Sequence, residues 1–355
     1  MDDNEIQRLD VTQESADLAP LEPPAEVPEI QRGNWLALSP GDPVVEYVTQ
    51  VLWDRPQEPV AWESARLSSA AYIYRETSTG SAVVAKFYVV KAGSSAQKYA
   101  ARELECIHQI RDLGLADHKA RAVAALALWR GVLLLEYVPG LTLENIIAVR
   151  HSHPGRLADA LEWAARSLVR LHVQSVREGD DSNPDFASSV RYTHEVVEQL
   201  AKYGVLQDYP ISRDGIKRLI DRWGRRPEMR QFRPTITHGD ATTTNFVFPR
   251  DGGVVIVDWE RLYAGDPAFD LGRLMAEVTH SINQHGGSVA EAQPFVEHMV
   301  DAYRRALPAT WRDDDLLGRA RFYRASSTLR IARNGWVSRL DRTALVAQAM
   351  ALLAD

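Results

Sequence analysis

Residues 237–248 read THGDATTTNFVF and residues 254–260 read VVIVDWE, with Asp251-Gly252 between them. Three side chains recur here at set spacing: Asp240, Asn245 five residues on, and Asp258 at the end of the second run. The apolar residues on either side of Asp251-Gly252 predict a short β-hairpin. A hairpin sets its two open ends side by side, so Asn245 and Asp258 are expected to face one cation, and magnesium prefers such hard oxygen ligands. Phosphoryl transfer asks a protein for a carboxylate to orient and deprotonate a hydroxyl, oxygen ligands for magnesium, and positive charge on the nucleotide phosphates. Taken singly, an Asp after Gly is more often a turn residue, and Asp258 could merely end a strand. It is the three together that point to chemistry.

Upstream of this loop the chain is rich in strand signals. Glu63–Ser69, Tyr72–Glu76 and Ala82–Val90 have strand composition, with a turn at Thr79-Gly80. A polar run then opens a helix over Gln97–Leu113, whose Leu104, Ile107 and Ile110 recur along one side. Val123–Trp129 and Val132–Val138 are two further strands about an Arg130-Gly131 turn. Ahead of all these, Ser39-Pro40 reads as a helix start leading into a helix over Val44–Trp53. Residues 1–32 are acidic and proline-rich without hydrophobic periodicity, the composition of a disordered tail. Pro139-Gly140 breaks the pattern, and Leu157–Val173, Val190–Lys202, Ile211–Trp223 and the chain from Pro267 on read as helices. The expectation is an α+β, bilobal chain. A small antiparallel N-lobe with one helix spans 33–138, and a larger helical C-lobe over 139–355 carries the hairpin, with a cleft between.

In order and spacing these residues resemble the aminoglycoside phosphotransferase and choline kinase family, small-molecule kinases with a protein-kinase-like fold. That family reads H-G-D-x-x-x-x-N, then I-D-W/F, then G-D-P-x-x-D-L. This chain has His238-Gly239-Asp240, Asn245, Val257-Asp258-Trp259 and Gly265-Asp266-Pro267-Ala268-Phe269-Asp270-Leu271, and the likeness runs from about Trp62 to Tyr303. The resemblance implies Asp240 as catalytic base, Asn245 and Asp258 as magnesium ligands, and Asp270 as a buried anchor for the catalytic loop. A helix N-cap and a buried strut are the ordinary jobs for Asp266 and Asp270.

The likeness extends into the N-lobe. Lys86, in AVVAKFYV, resembles the family's strand lysine on the nucleotide phosphates, and Glu103, in AARELECI, resembles the glutamate that holds it. Glu105 lies two residues away and cannot share Glu103's face of the helix. The first hairpin, ARLSSAAYIYRE, has no phosphate-loop glycines, so Ser68 and Ser69 are expected to cover the phosphates with N–H and hydroxyl donors. By the same resemblance the backbone of Glu136 and Val138 meets the adenine or guanine ring, which leaves ATP and GTP equivalent as donors.

Two departures stand out. Ala241-Thr242-Thr243-Thr244 replaces the family's frequent Leu-His-Pro-Gly, and Glu260 follows Asp258-Trp259, where it can approach a magnesium, the acceptor or a surface cation. The acceptor, a hydroxyl of a small molecule, is expected among Glu195, Glu277, His280 and the run RARFYRASSTLRIARNGW. Aminoglycoside acceptors call for acids, whereas this run carries Arg319, Arg321, Arg324, Arg330 and Arg333. A solvated helix face is the plain reading of these arginines, and a pocket for an anionic or neutral polyol is the alternative. A net charge of −7 argues against nucleic-acid or anionic-membrane partners. No apolar run reaches the ~18 residues of a membrane span, and the single Cys106 fits a reducing, cytoplasmic setting. A catalytically silent kinase-fold module is the competing reading, but it would need no base. A protein kinase is disfavoured because only Trp259–Gly265 separates Asp258 from Asp266-Pro267.

Overall fold

The computed structural model describes residues 35–39, 41–54, 60–88, 95–117, 119–176, 186–207, 212–311 and 315–354. The tail expected over 1–32 lies outside them, as do Pro40 and the end of the strand expected to reach Val90. The chain divides into two compact units. One runs up to Asp112 and resumes over Ala122–Pro139; the other comprises Leu113–Arg121 and everything from Gly140 on.

The first unit holds β1 (Leu36–Ala37), α1 (Pro43–Tyr47), β2 (Trp62–Arg66), β3 (Ala71–Glu76), β4 (Ala82–Phe87) and α2 (Ala96–Asp112). After a short strand, β5 (Ala120–Ala122), which pairs in the second unit, it ends with β6 (Ala125–Trp129) and β7 (Val132–Glu136). Its sheet runs β1-β2-β3-β4-β7-β6 and is antiparallel throughout. Strand side chains alternate between faces. Val83, Ala85 and Phe87 of β4 therefore share one face, where they join Trp62, Tyr72, Tyr74, Val132 and Leu134 in a core closed by Val44 and Val48. Lys86 must point to the other face. The first helix begins within a residue of the expected Val44, but its start signal is Asp42-Pro43 and not Ser39-Pro40. Gly41 turns the chain with φ +85°, and Asp42 caps the helix by accepting from the N–H groups of Val44 and Val45 at 2.9 and 3.1 Å. Pro43 fills the first helical position, where its missing N–H costs nothing.

The second unit contains β8 (Gly140–Thr142), α3 (Leu143–Ala148), α4 (Pro154–Gln174), α5 (Phe186–Lys202) and α6 (Arg213–Gly224). The hairpin region follows as β9 (Thr235–Thr237), β10 (Phe246–Pro249), β11 (Val254–Ile256) and β12 (Tyr263–Gly265). Four helices complete it: α7 (Ala268–Gln284), α8 (Val289–Ala306), α9 (Leu316–Ala332) and α10 (Arg339–Ala354). Helix α7 packs on α9, α9 on α10, and α4 on α8.

The hairpin expected about Asp251-Gly252 is the middle of a four-stranded sheet, β5-β11-β10-β8. Its outer strand begins where the sequence shows a break. Gly140 lies opposite Pro249, and a Cβ there would come within 2.5 Å of the Phe248 carbonyl, so Pro139-Gly140 leads directly into a strand that only glycine can start. The segment 113–121 also belongs to this unit. Val254 N–H donates to the Lys119 carbonyl at 2.9 Å, and Arg170 binds both Asp117 and the Gly114 carbonyl.

Candidate active site

The loop between β9 and β10 is fastened from below by one carboxylate. Asp270, in the first turn of α7, is fully buried. Its Oδ2 accepts from the His238 N–H at 2.7 Å and its Oδ1 from the Gly239 N–H at 3.0 Å. His172 of α4 adds a contact at 3.1 Å and is itself held by the Tyr303 hydroxyl at 2.7 Å. Burial alone would raise the Asp270 carboxyl; the hydrogen bond and charge of His172, with His238, instead hold it below its ordinary value. His238 closes the loop from the side. Its Nε2 lies 3.0 Å from the Val257 carbonyl, so it is the protonated nitrogen, and Nδ1 accepts from the Asp240 N–H at 3.2 Å. Gly239 has φ +77°, and a Cβ there would lie 2.1 Å from the Arg261 carbonyl oxygen. The motif's glycine is thus a steric requirement.

Asn245 and Asp258 stand at the open end of the hairpin. Phe246 pairs with Ile256, and the Val257 N–H donates to the Asn245 carbonyl at 3.0 Å, which sets Asp258 one residue beyond the pairing. Asn245 Nδ2 donates to the Asp240 carbonyl at 2.9 Å, so its amide oxygen, which accepts only a long 3.4 Å bond from the Thr244 hydroxyl, is the end that can serve as a ligand. Asp258 adopts φ 68°, ψ 61°, a left-handed conformation that costs a non-glycine residue of order 1 kcal/mol or more and clusters at functional sites. The carboxylates of Asp258 and Glu260 come within 4.8 Å of one another. An amide oxygen and two carboxylates are a donor set that suits magnesium.

In the first unit, Lys86 and Glu103 meet. Lys86 Nζ lies 2.6 Å from Glu103 Oε2, with the glutamate fully buried, and the Tyr88 hydroxyl donates to the same oxygen at 2.5 Å. Glu105 on the same helix is exposed. Ser68 and Ser69 are exposed in the β2–β3 turn, where Ser68 Oγ accepts from the N–H groups of Ala70 and Ala71 at 3.3 and 3.1 Å. That hydroxyl is already shaping the turn. Glu136 uses its N–H on the Ala124 carbonyl at 3.0 Å and its carboxylate on the Ala124 N–H at 2.5 Å. Val138 N–H makes no hydrogen bond among the described residues.

Residues 66–317 match the model of the Phosphotransferase enzyme family, which is well over half of the chain. The chain belongs to that family. Its fold is that of solved members of the group. The streptomycin–ATP–APH(2'')-IIa ternary complex superposes with a TM-score of 0.54 at 14% identity, covering 89% of this chain and 97% of that one. A Plasmodium vivax ethanolamine kinase gives 0.53 at 13% identity, over 87% and 86% of the two chains. The GDP and kanamycin complex of APH(2'')-IIia gives 0.53 at 16%, over 88% and 96%. No curated protein sequence matches this phosphotransferase.

Two arginines lie beside Asp240. Arg273, three residues after Asp270, is buried and donates to the Gly239 carbonyl at 3.1 Å, while its Nη2 stands 2.7 Å from Asp240 Oδ1. Arg261 Nε is 3.5 Å from Asp240 Oδ2. Neither arginine was singled out in the sequence, although Arg273's place one helical turn after Asp270 was a usable signal. The departure at 241–244 also has an account. Thr243 donates to Glu144 Oε2 at 2.5 Å, and Glu144 Oε1 meets His285 at 2.8 Å, which ties the β9–β10 loop to α3.

The α9 arginines are not a solvated face. Arg319 is fully buried and forks onto Asp266 at 2.8 and 3.3 Å, while Asp266 also accepts from the Ala268 N–H at 3.0 Å. Arg324 is buried against the Thr279 hydroxyl at 3.1 Å. Arg321 binds the Leu352 carbonyl at 2.9 Å and Arg333 the Gln199 side chain at 3.0 Å. Arg330 pairs with Glu277. A separate cavity of about 300 Å³, lined by Phe232, Pro267, Trp311 and Arg319 among others, shares no residue with the catalytic loop.

Proposed function

We propose that the chain is a small-molecule kinase that moves the γ-phosphoryl group of ATP or GTP to a hydroxyl. The observation that carries this reading is the β9–β10 loop clamped by Asp270: it joins Asn245 to Asp240 through a 2.9 Å hydrogen bond, with Asp258 just beyond the paired end of the hairpin, in a chain of the phosphotransferase family. Asp240 orients the acceptor hydroxyl and takes its proton as the phosphoryl group arrives. Asn245 and Asp258, with Glu260 in support, would hold magnesium, which when bound offsets phosphate charge. Lys86, held by Glu103, binds the nucleotide phosphates. Ser68 and Ser69 cover them, and the backbone of Glu136 and Val138 receives the base.

The Ser68 and Ser69 assignment rests on their backbone N–H groups, since the Ser68 hydroxyl already shapes the turn. Within the hinge, Val138 supplies the N–H and Glu136 no N–H, its own being committed to Ala124. The solved relatives carry ATP in one case and GDP in another, and a backbone-read base leaves both donors open. The test is nucleotide consumption, with each donor and magnesium, against a panel of sugars, amino alcohols, hydroxy acids and aminoglycosides. Acceptor-dependent release of ADP or GDP is expected. Tight nucleotide binding with no acceptor-dependent turnover would favour a binding module instead.

A further inference from the structure

Resting on the kinase reading, we propose that Arg273 sets the acceptor class, so that the hydroxyl presented to Asp240 belongs to a molecule carrying a carboxylate and not an ammonium group. Three observations lead there. The first is the state of the acids around Asp240. A cationic acceptor needs carboxylates left over for it, and among the described residues Asp240, Glu277 and Glu144 each already face a basic side chain. Asp240 faces Arg273 at 2.7 Å and Arg261 at 3.5 Å, Glu277 is paired to Arg330, and Glu144 is engaged by His285 at 2.8 Å.

The second is an excess of donors. Arg273, Glu277 and His280 sit at i, i+4 and i+7 on α7 and so share a face, with Arg330 reaching that face from α9. Arg273 Nη2 is taken up by Asp240 Oδ1 at 2.7 Å, which leaves Arg273 Nε and Arg330 Nε as buried donors without partners. Both His280 nitrogens are likewise buried without partners, and burial keeps that imidazole below its ordinary value. A buried donor without a partner calls for a ligand or water, and a carboxylate, with two acceptor oxygens, can receive from more than one such donor at once.

The third is charge balance. Arg273 senses Arg330 on one side and Asp240 and Glu277 on the other, two cations against two anions. A phosphate dianion would set two charges against the Asp240 and Glu277 carboxylates. With those charges balanced, the unused donors decide: an ammonium group brings only further donors to them, whereas a carboxylate accepts.

The experiment is titration calorimetry on the full chain loaded with magnesium and a non-hydrolysable ATP analogue, using two matched series. One is glycerate, glycerol, 3-amino-1,2-propanediol and glycerol 3-phosphate; the other is gluconate, glucose, glucosamine and glucose 6-phosphate. In at least one series the carboxylate should bind tenfold or more tighter than its ammonium counterpart. That preference should shrink at least tenfold in Arg273→Gln and survive in part in Arg273→Lys. The inference is overturned by an ammonium probe that binds as tightly as the carboxylate, by no carboxylate binding in either series, by tighter phosphate binding, or by an unmoved preference in Arg273→Gln. The wild-type comparison stands even where a variant misfolds. A chain that fails to take up magnesium-nucleotide refutes the kinase reading itself, whereas one that takes it up and prefers amines refutes only this inference.

Discussion

Removing the Asp270 carboxylate should cost more stability than almost any other single change in the second unit. In Asp270→Ala the N–H groups of His238 and Gly239 lose acceptors at 2.7 and 3.0 Å, and His172 loses one at 3.1 Å, all in a fully buried place. Each stranded buried donor costs ~1–3 kcal/mol, so the variant, with three stranded groups, should lose about 3–9 kcal/mol, a large part of the ~5–15 kcal/mol that holds a typical domain. Asp270→Asn keeps the volume and one acceptor oxygen and should lose roughly half as much.

The pH dependence has a definite sign. The folded carboxyl lies below its ordinary value of 3.8, so its ionisation adds stability that is fully present above that value and is lost as pH falls through the folded value. The gap between wild type and Asp270→Asn should therefore be widest at neutral pH and narrow below about pH 4. Urea melts at a series of pH values measure both quantities. An Asp270→Ala midpoint within ~0.5 kcal/mol of wild type, or a gap that widens on acidification, would refute the clamp.

Other sites give sharper single outcomes. Arg319→Ala leaves Asp266 buried without its cation and should destabilise the chain by about 3–5 kcal/mol in the same melts, whereas a joint Arg319→Met, Asp266→Leu change should recover most of that loss. Gly239→Ala forces the backbone away from the Arg261 carbonyl, so turnover should fall steeply while far-ultraviolet dichroism stays near wild type. Lys86→Ala frees Glu103 from a buried pair at 2.6 Å and should weaken nucleotide binding by about tenfold or more; unchanged affinity by calorimetry would remove Lys86 from the nucleotide site.

Much of this was legible because local signals and tertiary needs coincide. The strands of the first sheet and the helices α2, α4, α5 and α6 follow their hydrophobic periods closely, since each buries one face. The loop residues Asp240, Asn245 and Asp258 stood out because their spacing matches what a hairpin brings together. What escaped was settled at long range. β8 is too short to announce itself, and its start at Gly140 depends on the approach of Phe248. The first helix falls where Val44–Trp53 is expected, but its start signal was misassigned because Ser39-Pro40 and Asp42-Pro43 are equally good starts locally, and the turn at Gly41 decides between them. The arginines of α9 read as a polar face because composition does not reveal that Asp266 lies 53 positions before Arg319 and directly against it. Arg273 was passed over for the same reason, its partner being 33 residues upstream.

The central claim is that Asp240 is the base of a phosphotransferase, and the most direct measurement compares wild type with Asp240→Asn by phosphorus NMR. Each protein is incubated with magnesium-nucleotide and an acceptor that supports turnover, and the rate of phosphomonoester formation is read from the new resonance. The account predicts nucleotide affinity close to wild type and a rate lower by roughly 10²–10⁴ in Asp240→Asn, the worth of a positioned general base. Phosphomonoester formed at the same rate by both proteins would contradict it.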